Sequence, residues 1–285
     1  MEERASILLE ALPYIQRFYG KTLVIKLGGT LLEDEELKDS IYQDIVLLNY
    51  VGMKPTIVHG GGTEISKEME KAGKKPEFIE GLRVTDEETM EILHKSLGGK
   101  INKEIVLGLN KHGGHAIGVS GMDGGLVQAK KIESKSGEDL GFVGEVEEIN
   151  PSITQYLLDE DYIPVIAPIG ADKEGNSLNL NADIVAAELA PSLEAEKLIL
   201  LTDVPGVLED PNDEDSLISS LTLEEAQKLV EDEKITEGMI PKVQACVKCV
   251  ESGVERAHII NGETPHSLLL ELLTEGGIGT MIERG

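Results

Sequence analysis

Two glycine loops carry the first sign of chemistry in this sequence. Gly28-Gly29 follows the apolar run TLVI at 22–25 and Lys26, and Gly60-Gly61-Gly62 follows TIV at 56–58 and His59. Each loop lies between a strand-like run and a helical pattern. Glycine lets backbone N–H groups approach a ligand closely, and a helix N-terminus adds partial positive charge. Together the loops could cradle a phosphoryl group, although a tight strand–helix turn also uses glycine. No G-x-x-x-x-G-K-[ST] is present and no complete G-x-G-x-x-G, so neither a P-loop nor a dinucleotide fingerprint is read.

Side chains supply the rest. Lys26 ends a buried strand beside Gly28, where a lysine is costly unless it meets an anion or snorkels to water. Lys242, just after Pro241, opens a helix at the end that disfavours cations, which points to a compensating anion such as a nucleotide phosphate. Arg83, one of five arginines, follows Gly81 in EGLRVTDEE. It could clamp a substrate carboxylate in bidentate fashion or pair with the neighbouring acids. Asn179, Asn181 and Asp183 alternate along LNLNAD ahead of an apolar helix. One of them would cap it; three exceed what a cap needs, so Asp183 could hold the two lysines and an asparagine could bind substrate. His59 reads as support for its loop. The six histidines show no metal-binding spacing, and no Ser-His-Asp or Cys-His set can be argued from sequence order.

These residues need a scaffold that brings distant segments to one edge. Strand and helix patterns alternate along the chain, which predicts an α/β architecture. Leu37, Ile41, Ile45 and Leu48 recur at helical spacing, as do Ile65, Met69 and Ala72. Thr85 with Glu88 predicts a capping box, and the helix behind it would bury Met90, Leu93, Leu97, Ile101 and Ile105. Strands are expected at 115–119, 163–167, 197–202, 257–260 and 280–282, and a surface β excursion at 121–125 and 133–145. A second half begins near 176, with a turn at Asp203–Gly206 and a helix capped by Thr222 and Glu225. Without a repeat or a low-complexity linker, the halves read as lobes of one sheet. Cys246 and Cys249 form the one C-x-x-C and read as core thiols on one helix face, since no second ligand pair exists. Residues 5–19 carry Leu8, Leu9, Leu12, Ile15 and Phe18 on one helical face, for packing on their own domain or docking on another subunit.

Composition narrows the partners. The chain has 285 residues, 26 basic and 53 acidic, for a net charge of −27. That balance, with three Phe, six Tyr and no Trp, argues against nucleic acid. No apolar run reaches the roughly 18 residues of a membrane span, and the first 20 residues lack a signal-peptide pattern. The reading is a cytoplasmic protein.

The ordered set VIKLGG, IVHGGG, EGLRVTDEE, LNLNAD, LLTDVPGVL and GMIPKV resembles the acetylglutamate kinases of the amino-acid kinase superfamily. Each motif is weak alone; the set, in order from about residue 20 to the C-terminus, is specific. The resemblance implies a three-layer αβα sandwich around an open, mainly parallel eight-stranded sheet. It implies an interlacing helix at 1–20, an amino-acid-binding lobe at 21–175 and an ATP-binding lobe at 176–285. The implied reaction is ATP-dependent phosphorylation of the side-chain carboxylate of N-acetyl-L-glutamate, the second step of arginine biosynthesis. Lys26 and Lys242 would stabilise the transferring group and Asp183 would organise them. Gly28, Gly29, Gly61 and Gly62 would offer backbone donors, Gly61 and Gly62 touching substrate as well. Arg83 would hold the α-carboxylate and Asn179 the amino-acid end. Asp203, Gly206, Lys234 and Thr236 fall in the implied nucleotide pocket, with Mg²⁺ carried on the ATP phosphates and no metal held by the protein.

The N-terminal segment and HSLLLELLTEGGIGTMI resemble arginine-inhibited members, which are hexamers built as trimers of dimers. Tyr14, Glu271, Gly277 and Gly279 would lie near bound arginine. Two departures stand out: Glu263 where the family signature has Arg, and Thr63 after HGGG where Pro is usual. The alternatives are the acetylaminoadipate kinase of carrier-linked lysine biosynthesis, a non-catalytic arginine sensor and, less compatible, a nicotinamide-dependent dehydrogenase.

Overall fold

The computed structural model describes residues 2–210, 212–232, 234–236 and 238–285; the side chains of residues 2–8 and 214 lie outside the description. The chain runs α1 (Glu2–Phe18), β1 (Thr22–Leu27), α2 (Glu35–Tyr50), β2 (Lys54–His59) and α3 (Gly62–Lys71), then the hairpin β3 (Phe78–Ile79) and β4 (Leu82–Arg83). It continues through α4 (Glu87–Leu93), α5 (Asn102–Lys111), β5 (Ala116–Ser120), β6 (Val127–Glu133), β7 (Asp139–Ile149), α6 (Ser152–Asp159), β8 (Ile163–Ala167), β9 (Ile169–Ala171) and β10 (Ser177–Asn179). It closes with α7 (Ala182–Ser192), β11 (Lys197–Thr202), β12 (Ser220–Thr222), α8 (Leu223–Glu231), α9 (Ile240–Glu251), β13 (Arg256–Asn261), α10 (Ser267–Leu273) and β14 (Thr280–Glu283).

Eight strands form one sheet in the order β12-β14-β13-β11-β1-β2-β8-β5, parallel except for the β13–β14 pair. β1 is buried along its whole length and pairs with β2 on one side and β11 on the other. Strand order therefore reverses at β1, and in open α/β sheets ligands bind outside the carboxyl ends at such a switch point. The glycine loops after β1 and β2 and the turn after β11 all leave the sheet there.

The two faces hold separate cores. Leu23, Ile25 and Leu27 point into one, with α2, α4, α5 and α10. Val24 points into the other, with α7 and α9. Because side chains alternate along a strand, Lys26 shares the face of Val24 and so meets α7. Both cores mix residues from the two halves of the sequence, so the halves share one sheet as expected. β6, β7, β9 and β10 close into a small barrel. The expected surface excursion is thus a packed unit, and its last strand ends at Asn179, which pairs with Val143 of β7 and Ile169 of β9.

Three local expectations change. Asp86, not Thr85, caps α4, accepting from the Thr89 N–H at 2.9 Å and the Thr89 hydroxyl at 2.7 Å. The Lys74 ammonium bound to Asp86, with these caps, holds that carboxyl down at about 2. The helix behind it is not uniform: a π-helical stretch, His94–Ile101, separates α4 from α5. α1 divides its apolar face. Phe18 is buried against its own chain, while Leu9 and Leu12 stay exposed; Leu8 lies outside the described side chains. The box of Thr222 and Glu225 forms as read, and Cys246 and Cys249 are both buried. Burial pushes the Cys249 thiol up to about 12.

Candidate active site

Asp183 sits at the start of α7, where Asn181 caps the helix by accepting from the N–H groups of Asp183 at 2.8 Å and Ile184 at 3.2 Å. Its carboxylate is nearly enclosed and gathers two lysines. Lys26 Nζ lies 2.8 Å from Oδ1 and Lys242 Nζ 3.3 Å from Oδ2. Burial alone would push the Asp183 carboxyl up; the charges and hydrogen bonds of the two lysines outweigh it and hold the group below the ordinary carboxylate range. Two cations on one carboxylate leave a net positive site in a protein of net charge −27.

The glycine loops pack on each other. A Cβ at Gly29 would lie 3.2 Å from the N atoms of Gly61 and Gly62, and one at Gly61 would lie 2.5 Å from Ile101 Cδ1 and 2.8 Å from Leu97 Cδ2. The π-helical stretch brings Leu97 and Ile101 onto Gly61, so a side chain there would have to displace the ends of both. Gly28 does not serve as the resemblance implies: its N–H already donates to the Leu201 carbonyl at 3.0 Å. Its place is structural, extending the β1–β11 ladder. The N–H groups of Gly29, Gly61 and Gly62 have no partner among the described residues. His59 supports the loop as expected. Burial pushes it down to about 4, and the neutral ring bridges the Gly60 carbonyl at 2.9 Å and Asn102 Nδ2 at 3.3 Å.

Arg83 is 7% exposed, and no carboxylate pairs with it among the described residues, so the reading as a surface ion pair is excluded. Its Nη2 donates to the Gly62 carbonyl at 2.8 Å and Ser66 Oγ at 2.9 Å, and Nη1 to Met69 Sδ at 3.2 Å. The Phe78 ring lies 4.7 Å away. Burial pushes its pKa down without removing the charge. A buried arginine without an acid partner is a ready carboxylate receptor. Arg83, Asn179, Gly61, Gly62, Lys26 and Asp183 all line one cavity of about 230 Å³.

A second cavity, of about 210 Å³, lies at the turn after β11 and includes Asp203, Gly206 and Thr236. Asp203 accepts from the hydroxyls of Thr30 and Thr202, both at 3.1 Å, which ties this turn to the loop after β1. Lys234 is not part of its lining; it is exposed and pairs with Asp232 at 2.9 Å. A third cavity, of about 310 Å³, unites Tyr14 of α1 with Glu271, Gly277 and Gly279. Lys197 and His258 line it too, and sequence reasoning missed both because they read as ordinary strand residues. His258 Nδ1 lies 2.7 Å from Glu271 Oε1, and burial pushes Lys197 down to about 8. Glu263 is exposed and outside this lining. Ser66 and Phe78 were missed likewise, for they carry no motif: Ser66 accepts from Arg83, and Phe78 lies against its guanidinium and lines the same cavity as Arg83. Among the described residues, no group of three or more His, Cys, Asp or Glu side chains is placed to hold a metal ion.

The profile of the Amino acid kinase family matches residues 21–261. The acetylglutamate kinase of Methanocaldococcus jannaschii is 53% identical over 292 residues, covering 100% of this chain and 97% of that protein. Among solved structures, N-acetylglutamate synthase from Neisseria gonorrhoeae, complexed with coenzyme A and N-acetyl-glutamate, superposes with a TM-score of 0.88 at 29% identity, over 99% of this chain and 63% of that one. The same synthase complexed with coenzyme A and L-arginine gives 0.84 at 30% identity, over 99% and 65%.

Proposed function

The chain belongs to the amino acid kinase family, among the acetylglutamate kinases, and from that premise we propose how its residues divide the work. It phosphorylates N-acetyl-L-glutamate with ATP, a step of arginine biosynthesis. An oxygen of the side-chain carboxylate attacks the γ-phosphorus, the bond to the bridging β-phosphate oxygen breaks, and ADP leaves. The nucleophile is already ionised, so no general base is needed; alignment and charge neutralisation are. Lys26 contacts the transferring group, Lys242 neutralises charge on the ATP side, and Asp183 holds both ammonium groups. The observation that carries this reading is the single buried carboxylate shared by lysines from β1 and α9.

Gly29, Gly61 and Gly62 donate backbone N–H groups to phosphoryl and substrate oxygens, in keeping with their unspent donors. Arg83 holds the α-carboxylate and Asn179 the amino-acid end. The cavity of Asp203, Gly206 and Thr236 takes the nucleotide. Residues 21–175 contribute chiefly the amino-acid side and 176–285 the nucleotide side. Both carboxylate oxygens of Asp183 already face lysines, so these residues fit a Mg²⁺ carried by the ATP phosphates. When bound there, Mg²⁺ supplies further charge neutralisation. Arg83→Ala is expected to raise KM for N-acetyl-L-glutamate about 10- to 150-fold, the range for a lost charge-assisted bond, with a smaller effect on kcat. Steady-state kinetics with an unchanged KM would remove the clamp.

The cavity of Tyr14, Glu271, Gly277 and Gly279 is the arginine effector site in this reading, supported by the synthase relative that was solved with L-arginine. The enzyme is cytoplasmic and assembles as a hexamer through α1, whose Leu9 and Leu12 are exposed. Among the described residues no helix is long and apolar enough to cross a membrane. Deleting residues 1–19 is expected to abolish hexamers and weaken arginine inhibition; light scattering that still returns a hexamer would sink this assignment. The direct test is ATP-dependent phosphorylation of N-acetyl-L-glutamate with and without millimolar arginine, at low and high salt. Turnover inhibited by arginine supports both parts. Turnover without inhibition overturns the effector site alone.

A further inference from the structure

Thr85 is fully buried and stands between the two residues assigned to the amino-acid end of the substrate. Its hydroxyl donates to the Arg83 carbonyl at 2.8 Å. The same oxygen accepts from Asn179 Nδ2 at 3.1 Å. Its backbone is pinned independently: the Thr85 N–H donates to the Leu140 carbonyl at 2.9 Å, and its carbonyl accepts from the Phe142 N–H at 2.6 Å. Between them Gly141, at φ 74°, comes so close that a Cβ there would lie 2.1 Å from the Thr85 carbonyl oxygen. The place of the hydroxyl is therefore set by β7 and not by Asn179.

The geometry points to Thr85 as a positioning residue that fixes which way the Asn179 amide faces. A hydroxyl has one proton, and here it is given to the Arg83 carbonyl. Toward Asn179 the oxygen can only accept, so the amide must turn its NH₂ group to Thr85. The second N–H and Oδ1 then meet the cavity in one fixed order. The two ends of an asparagine amide are nearly equal in shape, and only a hydrogen-bond partner distinguishes them. Without the hydroxyl, the amide is free to present donor and acceptor in either order. The same hydroxyl ties the backbone of Arg83 to Asn179, so it couples the two groups that would bind the amino acid. This inference rests on Asn179 being a substrate contact.

The test compares Thr85→Val, Thr85→Ser, Asn179→Ala and the double variant Thr85→Val/Asn179→Ala, each checked for folding by thermal melting. Thr85→Val is expected to raise KM for N-acetyl-L-glutamate about 3- to 10-fold, the worth of one neutral hydrogen bond. KM for ATP and kcat should stay unchanged, which a general structural defect would not spare. Thr85→Ser should restore KM, and the double variant should be no worse than Asn179→Ala, because both remove one coupled contact. If Asn179→Ala raises KM while folded Thr85→Val does not, or if Thr85→Ser fails to restore it, the positioning role is overturned and the substrate contact stands. If Asn179→Ala leaves KM unchanged, the contact itself is wrong and this role falls with it. Should Thr85→Val fail to fold, Thr85→Ala, which removes the hydroxyl without placing a methyl against the Arg83 carbonyl, reads the same quantity.

Discussion

With Lys26 replaced by alanine, kcat is expected to fall about 10²- to 10³-fold, as when a preorganised charge donor is removed from an active site, while KM for either substrate changes little. Lys26 is 7% exposed, so its charge acts through a medium of low dielectric, where each interaction is stronger than in water. Phosphoryl transfer asks the protein for little beyond position and charge; a lost ammonium cannot be replaced by reorganised water in so enclosed a place. The substitution also takes from Asp183 its nearer partner, at 2.8 Å. Removing one member of a buried ion pair leaves its partner under-compensated and costs on the order of 3 kcal/mol of stability. Steady-state kinetics well below the melting point of the variant separate the two effects. A near-normal kcat would remove Lys26 from the mechanism.

Lys242→Ala is expected to lower kcat by a similar factor, about 10²- to 10³-fold, with a smaller loss of stability. The Lys242 side chain is 20% exposed and its Nζ lies 3.3 Å from Asp183, so less of its charge is desolvated and Asp183 keeps its closer partner. The pair of variants thus tests the geometry as well as the chemistry. Comparable falls in kcat with unequal falls in melting temperature fit two lysines that share the reaction but not the burial. Wild-type kcat in Lys242→Ala would break the symmetry of the proposed charge pair.

Much of the site could be read from residue types. Lys26 lies two residues after Val24 on a buried strand, and alternation puts both on one face. Lys242 violates the usual charge preference at a helix start, and such a violation asks for an anion. Asn181 caps α7 as LNLNAD suggests, and the two cysteines are core thiols as their helical spacing suggests. Elsewhere residue type left a choice that only tertiary contacts made. Thr85 and Asp86 are both competent caps by type, and the choice fell to Asp86 because β7 and Asn179 hold Thr85 elsewhere. Arg83 is surrounded in sequence by acids, yet its guanidinium turns inward to the Gly62 carbonyl and Ser66. Gly28 and Gly29 look alike in sequence, and only the reach of the Leu201 carbonyl separates a spent N–H from a free one. Lys234, near the nucleotide-side loop in sequence, turns to Asp232.

Sequence by itself determined the alternation of strands and helices, the sheet end where the glycine loops emerge, and the residue types that phosphoryl transfer needs. These follow from periodicity and local backbone preference, which act over a few residues. Tertiary structure alone decided which of those groups meet. It brought lysines from β1 and α9 onto one carboxylate, closed a barrel across the two halves so that its last strand delivers Asn179, and set Thr85 between Asn179 and Arg83. Each of these depends on which hydrogen-bond partner or charge lies within about 3 Å, a distance that chain folding sets and sequence separation does not.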